Sequence, residues 1–212
     1  MPLYKTIKPN AFTSIFVWKI EESFDELNSA IKLTDRSLGR IQSMKSELHQ
    51  RGFLSVRHLL KEAGYTDADL YYNENGKPHL KDGKHISITH SFNFSAIIIS
   101  TVEVGIDIEK NREKIKIIQH KFVNFERWFI SKDDDYIEQL TVIWGGKESL
   151  YKIYPHGGLT FKNDIDIESF KIKDGKTKGH IKAYDIDKFY AIYFEIFNGF
   201  TLVYALDTLK ND

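Results

Sequence analysis

A chain of 212 residues can hold one large domain or two small ones, with ample length for a buried core. Its 42% hydrophobic and 14% aromatic residues exclude a disordered protein, and 30 basic against 30 acidic side chains deny it the basic excess of a general nucleic-acid binder. Cysteine is absent, which excludes disulfides, thiolate metal sites and cysteine nucleophiles together.

The opening "MPLYKTIKPNAF" lacks the apolar core of a signal peptide. No apolar run approaches the roughly 20 residues of a membrane span, so a soluble cytoplasmic protein is expected. "SIFVWKI" (14–20) reads as a strand, followed by a charged helical stretch that begins near "EESFDELNSAIKL". In "QRGFLSVRHLLKEAG", Phe53, Val56, Leu59 and Leu60 recur at helical spacing and Gly64 stands at the stop position. The polar run "YYNENGKPHLKDGKH" reads as turns, and "HISITH", "FSAIIIST" and "VGIDIE" as strands. From Lys110 to about Lys152 the pattern is helical, broken by "SKDDDYIEQ", where Ser131 or an aspartate suits a helix N-cap. The last third reads as strands, with Asn198-Gly199 as a hairpin turn and Asp174-Gly175 as a second turn. The order of elements predicts an α+β fold of two halves of similar make-up joined near residue 104.

Four short stretches could carry chemistry. In "VGIDIEK", Asp107 and Glu109 are two apart on a predicted strand and so share a face. Either water solvates both carboxylates, or a cation such as Mg²⁺ lies between them. In "WGGKESLYK", Glu148 and Lys152 share a helix face, as a surface ion pair or as a metal ligand or base beside a phosphate partner. Trp144 and Tyr151 would be core contacts in the first case. The "GGK" is not a P-loop, because Glu148 follows the lysine where Ser or Thr is needed. In "HISITHS", Ser91 and His90 are neighbours on a strand and point to opposite faces, which removes them as a hydrolase pair. In "NGKPHL", Lys77 and Pro78 form either a plain turn or a stiff loop that offers a cation to phosphate.

Taken in order, "GKP", "ISITHS", "GIDIE" and "WGGKESLYK" resemble the successive motifs of the 4′-phosphopantetheinyl transferases, most closely the pseudo-dimeric, Sfp-type class, over residues 57 to 161. The resemblance implies an α+β chain of two similar α/β halves related by a pseudo-twofold. Residues 1–104 would bind coenzyme A, and 105–212 would hold the metal and dock the carrier protein. It implies transfer of the phosphopantetheine arm of coenzyme A to a serine of an apo acyl or peptidyl carrier protein in fatty-acid or polyketide biosynthesis, releasing adenosine 3′,5′-bisphosphate. Asp107, Glu109 and Glu148 match the residues that hold Mg²⁺ or Mn²⁺, with Glu148 or a metal-bound water as the base. Lys152 matches a lysine on the pyrophosphate, His90 a histidine on the phosphates, Lys77 and Pro78 the loop at the 3′-phosphate and adenine, and Arg57 an early arginine. Thr89 stands where the family often has serine. Gly145 and Gly146 replace the small residue and bulkier neighbour of many members, which would weaken the helix start, and the basic residues other members gather before Arg57 are not matched.

A monomer is implied, with no nucleic-acid or membrane partner. Lys110, Arg112, Lys114, Lys116 and Lys121, set against Glu113, would meet an acidic carrier or simply form a solvated face. Two other classes stay open: a Mg²⁺-dependent phosphohydrolase or nuclease using the same carboxylates, and a non-catalytic α+β binding module.

Overall fold

The structure, a computed structural model, describes residues 3–132, 135–183 and 185–207. The chain divides into two compact units, Met1–Thr101 and Val102–Asp212. This division lies three residues ahead of the joint read from the sequence, because Val104 opens a strand of the second sheet.

In the first unit the described elements run β1 (Leu3–Asn10), β2 (Thr13–Lys19), α1 (Phe24–Ser29), α2 (Asp35–Ser43), α3 (Glu47–Glu62), β3 (Leu70–Tyr72), β4 (Pro78–Leu80), β5 (His85–Ser91) and β6 (Phe94–Ser100). An antiparallel sheet forms in the order β1-β2-β6-β5, and β3 pairs with β4 separately. Helix α1 begins with a reciprocal cap, Ser23 and Glu26 each satisfying the other's backbone N–H. The apolar stripe of α3, including Phe53, Val56, Leu59 and Leu60, is buried in a core with Trp18, Ile86, Ile97 and Ile99. Gly64 ends this helix at φ +85°, and the N–H groups of Gly64 and Tyr65 return to the carbonyls of Lys61 and Leu60. Those two bonds close the helix end as a left-handed cap that glycine adopts without steric cost.

In the second unit the described elements are β7 (Val104–Lys110), α4 (Ile115–Ile118), α5 (Tyr136–Ile153), β8 (Ile165–Ile167), β9 (Lys176–Ala183), β10 (Ile186–Phe197) and β11 (Phe200–Asp207). The antiparallel order is β7-β11-β10-β9-β8, with α5 packed on one face over Ile165, Ile167, Ile181, Ile192 and Val203. Asn198 and Gly199 take φ +49° and +73° and join β10 to β11 in a two-residue hairpin. In each unit the strand that precedes the long helix pairs with the last strand of that unit, β2 with β6 and β7 with β11. The fold is therefore mixed α/β, and among the described residues no helix is long and apolar enough to cross a membrane.

The helical reading of 110–152 is corrected in its first half. Lys110 closes β7, and only α4 and short 3-10 turns precede α5. This segment folds around one carboxylate instead of forming a continuous amphipathic helix. Glu126, fully buried, accepts the backbone N–H of Asn124 at 3.1 Å and of Ile167 at 3.0 Å. In "SKDDDYIEQ", Asp133 and Asp134 lie outside the described residues, and Asp135, at the N-cap of α5, makes no side-chain cap bond. Asp174-Gly175 forms the expected turn, ending a short 3-10 stretch ahead of β9 with Gly175 at φ +62°.

Candidate active site

Strand alternation places Asp107 and Glu109 on the face of β7 that α5 covers. Their partners on β11 are Val203 and Thr201, and Val203 belongs to the core under α5. Asp107 is 5% exposed and Glu109 is half-buried. A carboxylate as buried as Asp107 needs a charged or hydrogen-bonding partner. The Lys152 ammonium supplies one, donating to Asp107 Oδ1 at 2.9 Å and to the Ile106 carbonyl at 2.8 Å.

Helix α5 reaches this strand because small residues line its contact. A Cβ on Gly105 would sit 1.9 Å from the Ser149 carbonyl oxygen, and one on Gly145 would sit 2.7 Å from Val203 Cγ2. A Cβ on Gly146 would meet Ile167 Cδ1 at 2.9 Å, and the Ser149 hydroxyl donates to the Val203 carbonyl at 3.2 Å. The expectation that Gly145 and Gly146 weaken a helix start is thus corrected. Both lie inside α5, where a missing side chain lets the helix backbone close on the sheet.

The residue between them and Glu148 was missed. Lys147 is fully buried, ion-paired to Glu126 at 2.7 Å, and donates to the carbonyls of Phe122 and Phe161 at 2.7 and 2.8 Å. Burial pushes its ammonium pKa down, against the pull of Glu126. Sequence reasoning read this lysine only as part of a failed P-loop. The signal that could have found it is its place on the same helical face as buried Leu150 and Ile143. One turn on, Glu148 and Lys152 lie four apart, as the spacing predicted, and both are partly exposed. Trp144 packs against the rings of Phe122 and Phe161, and Tyr151 against Phe161.

The electrostatics tie the acids together. The Glu148 carboxyl is pushed up to about 7, first by burial and then by the charge of Asp107, while Lys152 pulls it down and Glu109 adds to the rise. Three carboxylates thus share one field, which a cation would relieve. Among the described residues no three acidic or histidine side chains form a ready-made metal cluster. The donor set fits a hard divalent ion in kind, being all carboxylate oxygen, with Asp107, Glu109 and Glu148 the residues that would hold it.

The first unit carries the other sequence-derived candidates. Lys77 lies in a turn fixed by Asn73, whose side-chain oxygen accepts the Lys77 N–H at 2.9 Å, with Gly76 at φ +78°, and Pro78 opens β4. On β5, Thr89 is buried and His90 exposed, on opposite faces as alternation requires. His90 lies over Gly52 of α3, where a Cβ would meet its ring at 3.4 Å. Arg57 departs from its expected role. It is 4% exposed, pairs with Asp67 at 3.0 Å, donates to the Phe53 carbonyl and covers the Phe53 ring at 3.4 Å. Those partners make it part of the core instead of a surface cation offered to phosphate.

No curated protein matches the chain. The family model described as the 4′-phosphopantetheinyl transferase superfamily does match residues 103–205, a stretch that holds Asp107, Glu109, Glu148 and Lys152.

Proposed function

We propose that the protein transfers the 4′-phosphopantetheine group of coenzyme A to a serine of an apo acyl or peptidyl carrier protein, leaving adenosine 3′,5′-bisphosphate. The observation that carries this reading is the trio of carboxylates in one field, two on β7 and one on α5, inside the matched stretch. The shared pairing of each pre-helix strand with its unit's last strand supports the pseudo-dimeric, Sfp-type class, and the reading extends to a monomer in the cytoplasm.

Asp107, Glu109 and Glu148 would hold Mg²⁺ or Mn²⁺, which would supply charge neutralisation on the pyrophosphate when bound. Lys152 uses two of its three N–H donors on Asp107 and the Ile106 carbonyl, and the third is available to a phosphate oxygen. The carrier serine oxygen forms a bond to the β-phosphorus as the bond to the adenosine-side phosphate oxygen breaks. The serine proton passes to Glu148, the candidate base of the set. The nucleophile comes from the partner, so this chain needs no activated serine or cysteine. Lys77, Pro78, Thr89 and His90 contact the nucleotide end of coenzyme A. Arg57 is left out of that set by its ion pair with Asp67.

The test is intact-mass spectrometry of an apo carrier protein incubated with this protein, coenzyme A and Mg²⁺. A gain of one phosphopantetheine group, abolished by chelator, is the expected result. No gain on any of several acyl and peptidyl carriers, together with no Mg²⁺-dependent binding of coenzyme A, would overturn the reading.

A further inference from the structure

The turns between α4 and α5 enclose a cavity of about 380 Å³ that the transfer reaction does not use. It shares no lining residue with the smaller cavity of about 240 Å³ beside Glu109. Two cationic side chains, Arg127 and Lys132, border it together with His120. Among the described residues no carboxylate lines it, and neither Arg127 nor Lys132 makes an ion pair. Its floor is apolar, from Val123 and Ile130.

The polar edge of the cavity is fixed in place. Tyr136, the first residue of α5, donates its hydroxyl to the Gln119 side-chain oxygen at 2.5 Å, tying the helix to the turn that carries His120. His120 Nδ1 lies 2.9 Å from the Ile117 carbonyl. A carbonyl only accepts, so Nδ1 carries the proton and Nε2 is the ring nitrogen left to meet a ligand. The Lys116 ammonium, paired with Glu113, lies 5.6 Å from the centre of the Tyr136 ring.

We infer that this cavity is a binding site for a small organic phosphate, separate from the carboxylate site. A guanidinium and an ammonium with no ion pair among the described residues match the double charge of a phosphate monoester, and the planar fork of arginine binds such oxygens in pairs. The floor of Val123 and Ile130 takes a short apolar or aromatic body, and the volume falls in the range of small-molecule pockets.

Phenyl phosphate is the probe, titrated calorimetrically into the full chain in the presence of EDTA, so that metal-dependent binding of phosphate elsewhere is absent. Saturable binding at one site per chain is expected, with Arg127→Ala and Lys132→Ala together weakening it at least tenfold, about 1.4 kcal/mol. Both side chains are exposed, and a thermal melt of the double variant confirms that it folds. Asp107→Asn should leave phenyl phosphate binding unchanged while lowering the transfer rate by about 10²–10³, so this site and the proposed activity fail separately. No binding of phenyl phosphate, or binding that the double variant retains, would overturn the inference. Equal affinity for inorganic phosphate would overturn the assignment to an organic phosphate.

Discussion

The two units anchor their long helices with the same devices, yet only one presents acids beneath the helix. In the first, α3 is pinned by buried Arg57–Asp67 and by the Ser55 hydroxyl donating to Ser95 on β6 at 2.8 Å. In the second, α5 is pinned by buried Lys147–Glu126 and by the Ser149 hydroxyl on Val203 of β11. The strand before the helix then diverges. β2 sends Trp18 into the core, its ring 5.0 Å from that of His58, whereas β7 sends Asp107 and Glu109 to the corresponding side of its sheet. A buried charge pair on the long helix is thus a shared means of construction, and the carboxylates on β7 are where the second unit departs from the first.

That comparison can be broken in several ways. The largest expected effect follows from removing one partner of a buried pair. Lys147→Met leaves Glu126 buried and uncompensated and should cost about 3–5 kcal/mol of stability, with Arg57→Met costing a similar amount. Urea unfolding that shows either variant within 1 kcal/mol of wild type, about the value of an exposed pair, would end the parallel. Next in size is Asp107→Asn, expected to lower the transfer rate by about 10²–10³ with little change in melting temperature, as for loss of one preorganised electrostatic group. A large stability loss with modest rate loss would instead make Asp107 an anchor like Asp67.

A smaller effect concerns acid. Burial alone would raise the Asp67 pKa, but the N–H and hydroxyl of Thr34, the Ser37 hydroxyl and the Arg57 charge outweigh it and hold the carboxyl below the ordinary aspartate range. Its folded pKa is depressed, so its contribution is complete above the ordinary range and disappears as pH falls through the lowered value. Denaturation at pH 7 and pH 3 should show a smaller pH-dependent loss for Asp67→Asn than for wild type. Equal losses would show that another group sets the acid limit. Smallest is charge reversal at Lys114 and Lys116, expected to slow transfer to an acidic carrier by about tenfold while coenzyme A binding is kept. Lys116 already pairs with Glu113 at 2.8 Å, so Lys114→Glu should contribute the larger share.

What could be read in the sequence was what short-range rules encode. The stop at Gly64, the Asn198-Gly199 turn and the shared face of Asp107 and Glu109 each depend on residues close in the chain, and each stands in the structure. Strand β1 escaped because its burial pattern does not alternate cleanly, and β3 and β4 because three-residue strands vanish among turn-forming residues. The Glu126–Lys147 pair and the purpose of Gly145 were invisible for another reason. Both depend on what packs against α5 from distant parts of the chain, Phe122 and Glu126 on one side and Phe161 and Val203 on the other, and no local spacing reports that. Arg57 matched by position in the chain, but its meaning came from Asp67, ten residues on and across a turn.

The hairpin at Asn198-Gly199 also bears on the order of folding. β10 and β11 meet through a two-residue turn, a local event on the microsecond scale. Pairing β11 with β7 must instead close a long loop, as in the bond from the Thr201 hydroxyl to Asn111, 90 positions apart in the chain, and that closure carries a larger entropy cost. The strand that carries Asp107 and Glu109 therefore joins the sheet late. Substitutions on it should act mainly on the unfolding rate, with φ-values near zero, while those in the hairpin act on the rate of folding.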